Sequence, residues 1–177
     1  SSSETTLPAN ETKKEFDKKP VLERFDHQLK ISGLKTFHTL KPDFSWVCSN
    51  IDKLISKYNL SDYILLFPFC SEHLQQKKWP YYDQLIKLIK QNHPNLKIVI
   101  APGPDEIEKA KKLDAVSILK EDKAISISEL AGLIKKSKFV VANDTGPAHM
   151  AAHLNVKGLS LFGSHTTAHK VSIEREN

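Results

Sequence analysis

Phe139-Val140-Val141-Ala142-Asn143-Asp144-Thr145-Gly146-Pro147-Ala148-His149-Met150-Ala151-Ala152-His153-Leu154 decides how the chain is read. The run Phe139 to Ala142, apolar and β-branched at its centre, reads as a buried strand. Asn143 to Gly146 is a cluster of turn formers. Pro147 suits the start of a helix, where its missing N–H leaves no bond unmade. Ala148 to Leu154 is rich in helix formers. Strand, tight turn and helix in that order leave the first N–H groups of the helix unpaired above the sheet. With the helix dipole they form a ready site for an anion, most often phosphate. Asp144 and His149 flank that site, and both can bond sugar hydroxyls.

The same alternation extends in both directions. Tyr63 to Phe67, Leu96 to Ile100, Ala115 to Leu119 and Gly158 to Phe162 read as further strands. A helix over Tyr81 to Gln91 shows a buried stripe of Tyr82, Leu85, Ile86 and Ile89. Another follows Pro102-Gly103-Pro104, from Asp105 to Lys112. A third runs to Lys136, opened by Ser126 and Glu129 at capping-box spacing. Strands alternating with helices predict an α/β fold, a Rossmann-like parallel sheet with helices on both faces. In such sheets ligands bind beyond the carboxyl ends of the strands. The loops after Phe67, Ile100, Ala142 and Phe162 lie at that edge. The fingerprint G-x-G-x-x-G is absent, which disfavours a nicotinamide-dependent oxidoreductase.

Upstream the pattern is weaker. Residues 1–19 are polar and aperiodic and read as a disordered tail or linker. Residues 20–60 read as a helical segment. Its first helix, Val21 to Ile31, places Val21, Leu22, Phe25 and Leu29 on one face and ends at Gly33. Leu34 to Val47 reads as a connection with one short strand. Ser49 is the candidate cap of a helix from Ile51 to Tyr58. Residues 61–177 form the Rossmann-like domain.

With 177 residues, 40% hydrophobic and 27% charged, the chain has the composition of a soluble globular domain. Its net charge is +5. The lysines are scattered in pairs and arginine is scarce, so a solvated basic surface is preferred to nucleic-acid binding. Cys48 and Cys70 give neither a disulfide framework nor metal spacing and read as reduced thiols in a cytoplasmic protein. No run reaches membrane-spanning length. Such a chain is compatible with peripheral contact at the inner face of a membrane. His149 and His153 have H-x-x-x-H spacing, but no third ligand follows at useful distance, so no metal and no cofactor are expected.

Asp144-Thr145-Gly146-Pro147-Ala148-His149-Met150-Ala151-Ala152 resembles the D-T-G-P-x-H-x-A-A signature of glycosyltransferase family nine, which includes the ADP-heptose:lipopolysaccharide heptosyltransferases. Lys77-Lys78-Trp79-Pro80 resembles the K-x-W-P signature of the same family, in the expected order. The resemblance covers roughly residues 20–163. It implies the C-terminal, donor-binding half of a two-domain glycosyltransferase of the GT-B fold. The donor would be a nucleotide-diphospho-sugar, ADP-heptose-like, and the transfer metal-independent. It further implies that Lys77 contacts the donor phosphates and that Asp144 acts with the donor sugar, although local capping also explains a carboxylate there. Thr145 and Gly146 would offer backbone N–H groups to the diphosphate, with the Thr145 hydroxyl beside them. His149 would orient the site through Asp144. Ser71, Ser126 and Gly163 are weaker candidates: loop position explains Ser71, capping explains Ser126, and Phe162-Gly163-Ser164 departs from the family's F-G-P-T. Trp79 reads as packing.

The half that would hold a lipopolysaccharide or other glycan acceptor, with its catalytic carboxylate, has no counterpart in these residues. No catalytic residue is therefore assigned within the chain. A non-catalytic nucleotide or nucleotide-sugar binding module is the alternative reading.

Overall fold

The computed structural model describes residues 13–164 and 166–174, with side chains from residue 15. Five parallel strands form one sheet: β1 (Tyr63–Phe67), β2 (Lys97–Ile100), β3 (Val116–Ser117), β4 (Phe139–Asn143) and β5 (Gly158–Leu161). Their order is β3-β2-β1-β4-β5. The helices are α1 (Lys13–Phe16), α2 (Val21–Ile31), α3 (Asp52–Lys57), α4 (Tyr82–Asn92), α5 (Ile107–Ala110), α6 (Ile127–Lys136), α7 (Gly146–His153) and α8 (Ala168–Val171).

β1 lies at the centre, and all five of its residues are buried. Successive side chains point to opposite faces of a strand, so β1 feeds two cores. Tyr63, Leu65 and Phe67 join Val99, Val140 and Leu133 beneath α3, α6 and α7. Ile64 and Leu66 join Ile100, Val141 and Ile86 beneath α4 and α5. The apolar run Tyr-Ile-Leu-Leu-Phe lacks alternation because both faces are covered.

α6 lies close to the incoming chain. A Cβ on Gly132 would stand 2.5 Å from the Ser49 carbonyl oxygen. The Ser49 N–H donates to the Ser128 carbonyl at 3.0 Å. Ser49 is thus tied to α6 and does not cap the next helix. The cap position of that helix is Ile51, which makes no side-chain capping bond, while Asn50 just before it accepts the Asp52 N–H on its Oδ1 at 2.8 Å.

The structure departs from the sequence reading at four further places. Residues 1–12 of the expected tail lie outside the described residues, and the rest is ordered. Lys13–Phe16 form a helical turn, and Phe16 is buried beside the His27 ring. The connection Leu34 to Val47 holds no strand, only a 3₁₀ turn at Ser45–Val47; its Phe44 N–H donates to the His153 carbonyl at the end of α7, not to a strand. The helix expected over Asp105 to Lys112 is split into a 3₁₀ turn, Pro104–Glu106, and the short α5. There the Gly103 carbonyl accepts the Glu106 N–H, which tightens the first turn. Finally, α2 has the expected bounds but no buried residue, and Phe25 on its apolar face is 52% exposed. No described helix is long and apolar enough to cross a membrane.

The strand order sets where a ligand can sit. The chain steps from β1 to β2 to β3, then returns to place β4 on the other side of β1. The loops leaving the carboxyl ends of β1 and β4 therefore diverge, and a crevice opens between them.

Candidate functional site

Beyond β1 the chain runs through Pro68 to Ser71 into a 3₁₀ stretch, Glu72–Lys77, and then to Trp79, Pro80 and α4. Trp79 packs edge-on against Tyr81 and Tyr82, with ring centroids 5.5 and 5.4 Å apart, which is the packing role expected of it. This places Lys77 at the mouth of the crevice. Its ammonium reaches the turn after β4, 2.8 Å from Asp144 Oδ2 and 3.2 Å from the Asp144 carbonyl oxygen. His149 Nε2 lies 3.5 Å from Oδ1, the other oxygen of the same carboxylate. Lys77, Asp144 and His149 thus form one cluster drawn from two loops and the first turn of α7.

Asp144 is 3% exposed. The cap position of α7 is Thr145, whose hydroxyl donates to the Asn143 carbonyl at 3.3 Å. That hydroxyl donor is therefore engaged within the turn. The backbone N–H groups of Thr145 and Gly146 enter no hydrogen bond among the described residues. Gly146, the first residue of α7, has no atom within 4 Å of where a Cβ would be. Its approach is open, and Pro147 follows at the second helical position.

A cleft of about 540 Å³ opens beside this cluster at the carboxyl edge of the sheet. Its apolar walls include Phe69, Ala101, Pro102, Ile125 and Leu130. Ser71, Glu106, Ser126 and Thr145 add the polar groups. Flat apolar walls with a few polar groups suit a nucleoside. A smaller cavity of about 80 Å³ lies between α7 and the β4–β5 edge, away from Lys77 and lined by Val140, Ala142, Ala148 and Ala151 among others.

Of the residues singled out in the sequence, Ser71, Ser126 and Thr145 line the cleft, while Lys77, Asp144 and His149 cluster at the turn that carries Thr145, with Gly146 next in that turn, and are not part of the lining. Ser126 also closes the expected capping box: its hydroxyl accepts the Glu129 N–H at 3.2 Å, and Glu129 Oε2 accepts the Ser126 N–H at 2.9 Å. Gly163 stands apart, exposed in the loop after β5 and outside the cleft wall. His153 is buried against the Phe44 ring at 5.1 Å. Cys48 and Cys70 are free thiols. Burial pushes the Cys70 thiol up, opposed by the charge of Lys78.

Two residues of the site escaped the sequence reading. Glu106 lines the cleft while its Oε2 accepts the Gly103 N–H at 2.8 Å. A carboxylate three residues past a Gly-Pro turn was the available signal. Asn143 is fully buried and bonds the loop after β1. In sequence it was one turn former among four.

Both expected motifs therefore meet at one sheet edge, through the Lys77–Asp144 contact. The sequence model of glycosyltransferase family 9 (heptosyltransferase) matches residues 8–175. The chain belongs to glycosyltransferase family 9. Lipopolysaccharide heptosyltransferase 1 of Campylobacter coli is 31% identical over 100 residues, covering 51% of this chain and 29% of that protein. Among solved structures, E. coli heptosyltransferase WaaC with ADP-2-deoxy-2-fluoro heptose matches with a TM-score of 0.58 and 22% identity, over 82% of this chain and 45% of that one. E. coli ADP-heptose lps heptosyltransferase II matches with a TM-score of 0.56 and 20% identity, over 77% and 40%. At these identities the likeness shows the fold, the α/β Rossmann-like domain of GT-B glycosyltransferases. The chain spans less than half the length of each of these relatives.

Proposed function

We propose that this family 9 domain binds a nucleotide-diphospho-sugar donor, ADP-heptose-like, for transfer to a lipopolysaccharide or other glycan acceptor held by a separate acceptor domain. The observation that carries this reading is the Lys77–Asp144 contact beside the cleft, with the N–H groups of Thr145 and Gly146, unbonded among the described residues, next to it. A departing diphosphate develops negative charge, and a fixed ammonium with backbone N–H groups stabilises it without reorganisation. Asp144 repels phosphate but accepts sugar hydroxyls. It therefore separates the diphosphate end of the donor from the sugar end. His149, with Nε2 3.5 Å from the other Asp144 oxygen, borders the carboxylate on that side. The apolar cleft takes the base and ribose, with Glu106 and Ser126 as the hydroxyl partners within reach. Activation of the acceptor hydroxyl falls to the acceptor domain.

The ADP sugar comes from the relatives: WaaC is solved with an ADP-heptose analogue and with ADP. A soluble nucleotide-sugar donor sets the compartment as the cytoplasm, and a lipid-linked acceptor would bring the protein to the inner face of the membrane. Calorimetric titration with ADP, UDP and GDP tests the reading. Saturable ADP binding, weakened at least about tenfold by Lys77→Ala, is expected. Folded protein that binds none of the three would overturn it.

A further inference from the structure

Asn143, the last residue of β4, has 0% of its surface exposed. A buried amide must find partners for both its oxygen and its nitrogen. Asn143 finds them in the segment that follows β1. Its Oδ1 accepts from the Trp79 backbone N–H at 3.1 Å, and its Nδ2 donates to the Phe69 carbonyl at 3.4 Å. The Tyr82 hydroxyl stands between the Phe67 carbonyl at 3.2 Å and Asn143 Oδ1 at 3.4 Å. Phe69 and Trp79 bracket the loop that carries Lys77. The residue next to Asp144 in sequence thus holds both ends of the loop that delivers Lys77 to Asp144.

We propose that Asn143 is a positioning residue of the donor site, fixing the Lys77 loop against the Asp144 turn so that the ammonium stands ready for the donor phosphates. The proposal rests on the donor-binding reading above. A lysine on a loose loop would have to be ordered when the ligand arrives, and that ordering would subtract from affinity. The side chain fits this task specifically. It bonds one backbone acceptor and one backbone donor on opposite ends of a single loop, which neither a carboxylate nor an apolar residue can do. Its own backbone carbonyl also accepts the Thr145 hydroxyl, so the turn on its other side is tied to the same residue.

The test is calorimetric titration of ADP and of adenosine into the unaltered protein, Asn143→Ala, Lys77→Ala and the double variant. Adenosine carries the base and ribose without phosphate. Asn143→Ala is expected to weaken ADP about tenfold, leave adenosine unchanged, and add nothing to the loss already present in Lys77→Ala. Equal weakening of both ligands would show a merely structural residue and overturn the proposal. So would a loss of ADP affinity that persists in full without Lys77. If the unaltered protein binds no ADP, the donor reading itself fails, a result distinct from either of these. Should Asn143→Ala not fold, Asn143→Asp keeps the shape and turns the donor at Phe69 into an acceptor. The same phosphate-selective, Lys77-dependent loss is expected from it, and its absence would overturn the proposal.

Discussion

Lys77 and Asp144 are 67 residues apart in sequence, yet the Lys77 ammonium lies 2.8 Å from the Asp144 carboxylate. The carboxylate is 3% exposed and the lysine side chain 22%, so the pair is screened far less than a surface ion pair. Removing the ammonium takes its nearest cation from a charge that water hardly reaches. Lys77→Ala is expected to cost about 2 kcal/mol, below the figure for a fully buried pair because the lysine keeps some solvent. Adding Asp144→Asn removes that buried charge. The double variant should then be more stable to urea than Lys77→Ala alone. Losses that simply add would show that the carboxylate never depended on the lysine.

Gly132 and Gly146 make opposite demands. A methyl group at Gly132 meets the Ser49 carbonyl oxygen at 2.5 Å, a backbone atom that cannot swing aside. Gly132→Ala should destabilise the fold by about 2 kcal/mol, read as a lowered urea midpoint. A methyl group at Gly146 meets nothing within 4 Å. Gly146→Ala should fold with undiminished stability and lose ADP affinity, because the methyl group occupies the approach to the free N–H groups. A Gly146→Ala protein that binds ADP normally would move the phosphates elsewhere.

Glu129 carries a pH dependence. The Lys120 ammonium, with the Ser126 N–H and hydroxyl, holds its carboxyl down at about 2, against an ordinary value of 4.5. A carboxyl whose folded value is depressed stabilises the fold fully above the unfolded value and loses that contribution as pH falls through the folded one. Glu129→Gln should therefore cost about 1 kcal/mol at pH 7. Its deficit should shrink between pH 4.5 and about 2. Denaturation series at several pH values check this, and a deficit that is constant with pH would refute it.

The Tyr63 hydroxyl donates to the Leu133 carbonyl at 2.7 Å. Burial pushes both Tyr63 and Tyr82 well above the ordinary tyrosine value of 10. Raised folded values mean that this stabilisation is complete below pH 10 and is lost as pH rises towards them. Ultraviolet titration of the folded protein should leave these two phenols un-ionised at pH 10.5–11, where unfolded chain has ionised (ordinary value about 10). Tyr63→Phe should remove one late-ionising phenol and cost about 1 kcal/mol.

Much of the fold was legible because its signals are local. β-branched runs, a Pro after a turn and a Ser-x-x-Glu box each act within a few residues, and the strands, α4 and α6 appear within a residue or two of where these signals placed them. The two motifs were legible for the same reason, and they named Lys77, Asp144 and His149. Gly163 shows the limit of that reasoning. It lies after the right strand, but at the end of the sheet away from the cleft wall. The apolar face of α2 shows another: periodicity reports that a face is apolar, and Phe25 is still half exposed although the helix touches α8.

The sequence by itself determined the element types, the parallel α/β class and the identity of the residues able to meet phosphate and sugar. These follow from propensity, periodicity and chemistry that each residue carries with it. Only the tertiary structure decided that the strands run β3-β2-β1-β4-β5. That order puts the switch point between β1 and β4, and so brings Lys77 to Asp144 and Asn143 to Trp79. Strand order is set by the joint burial of both sheet faces, a sum over distant contacts that no local stretch contains.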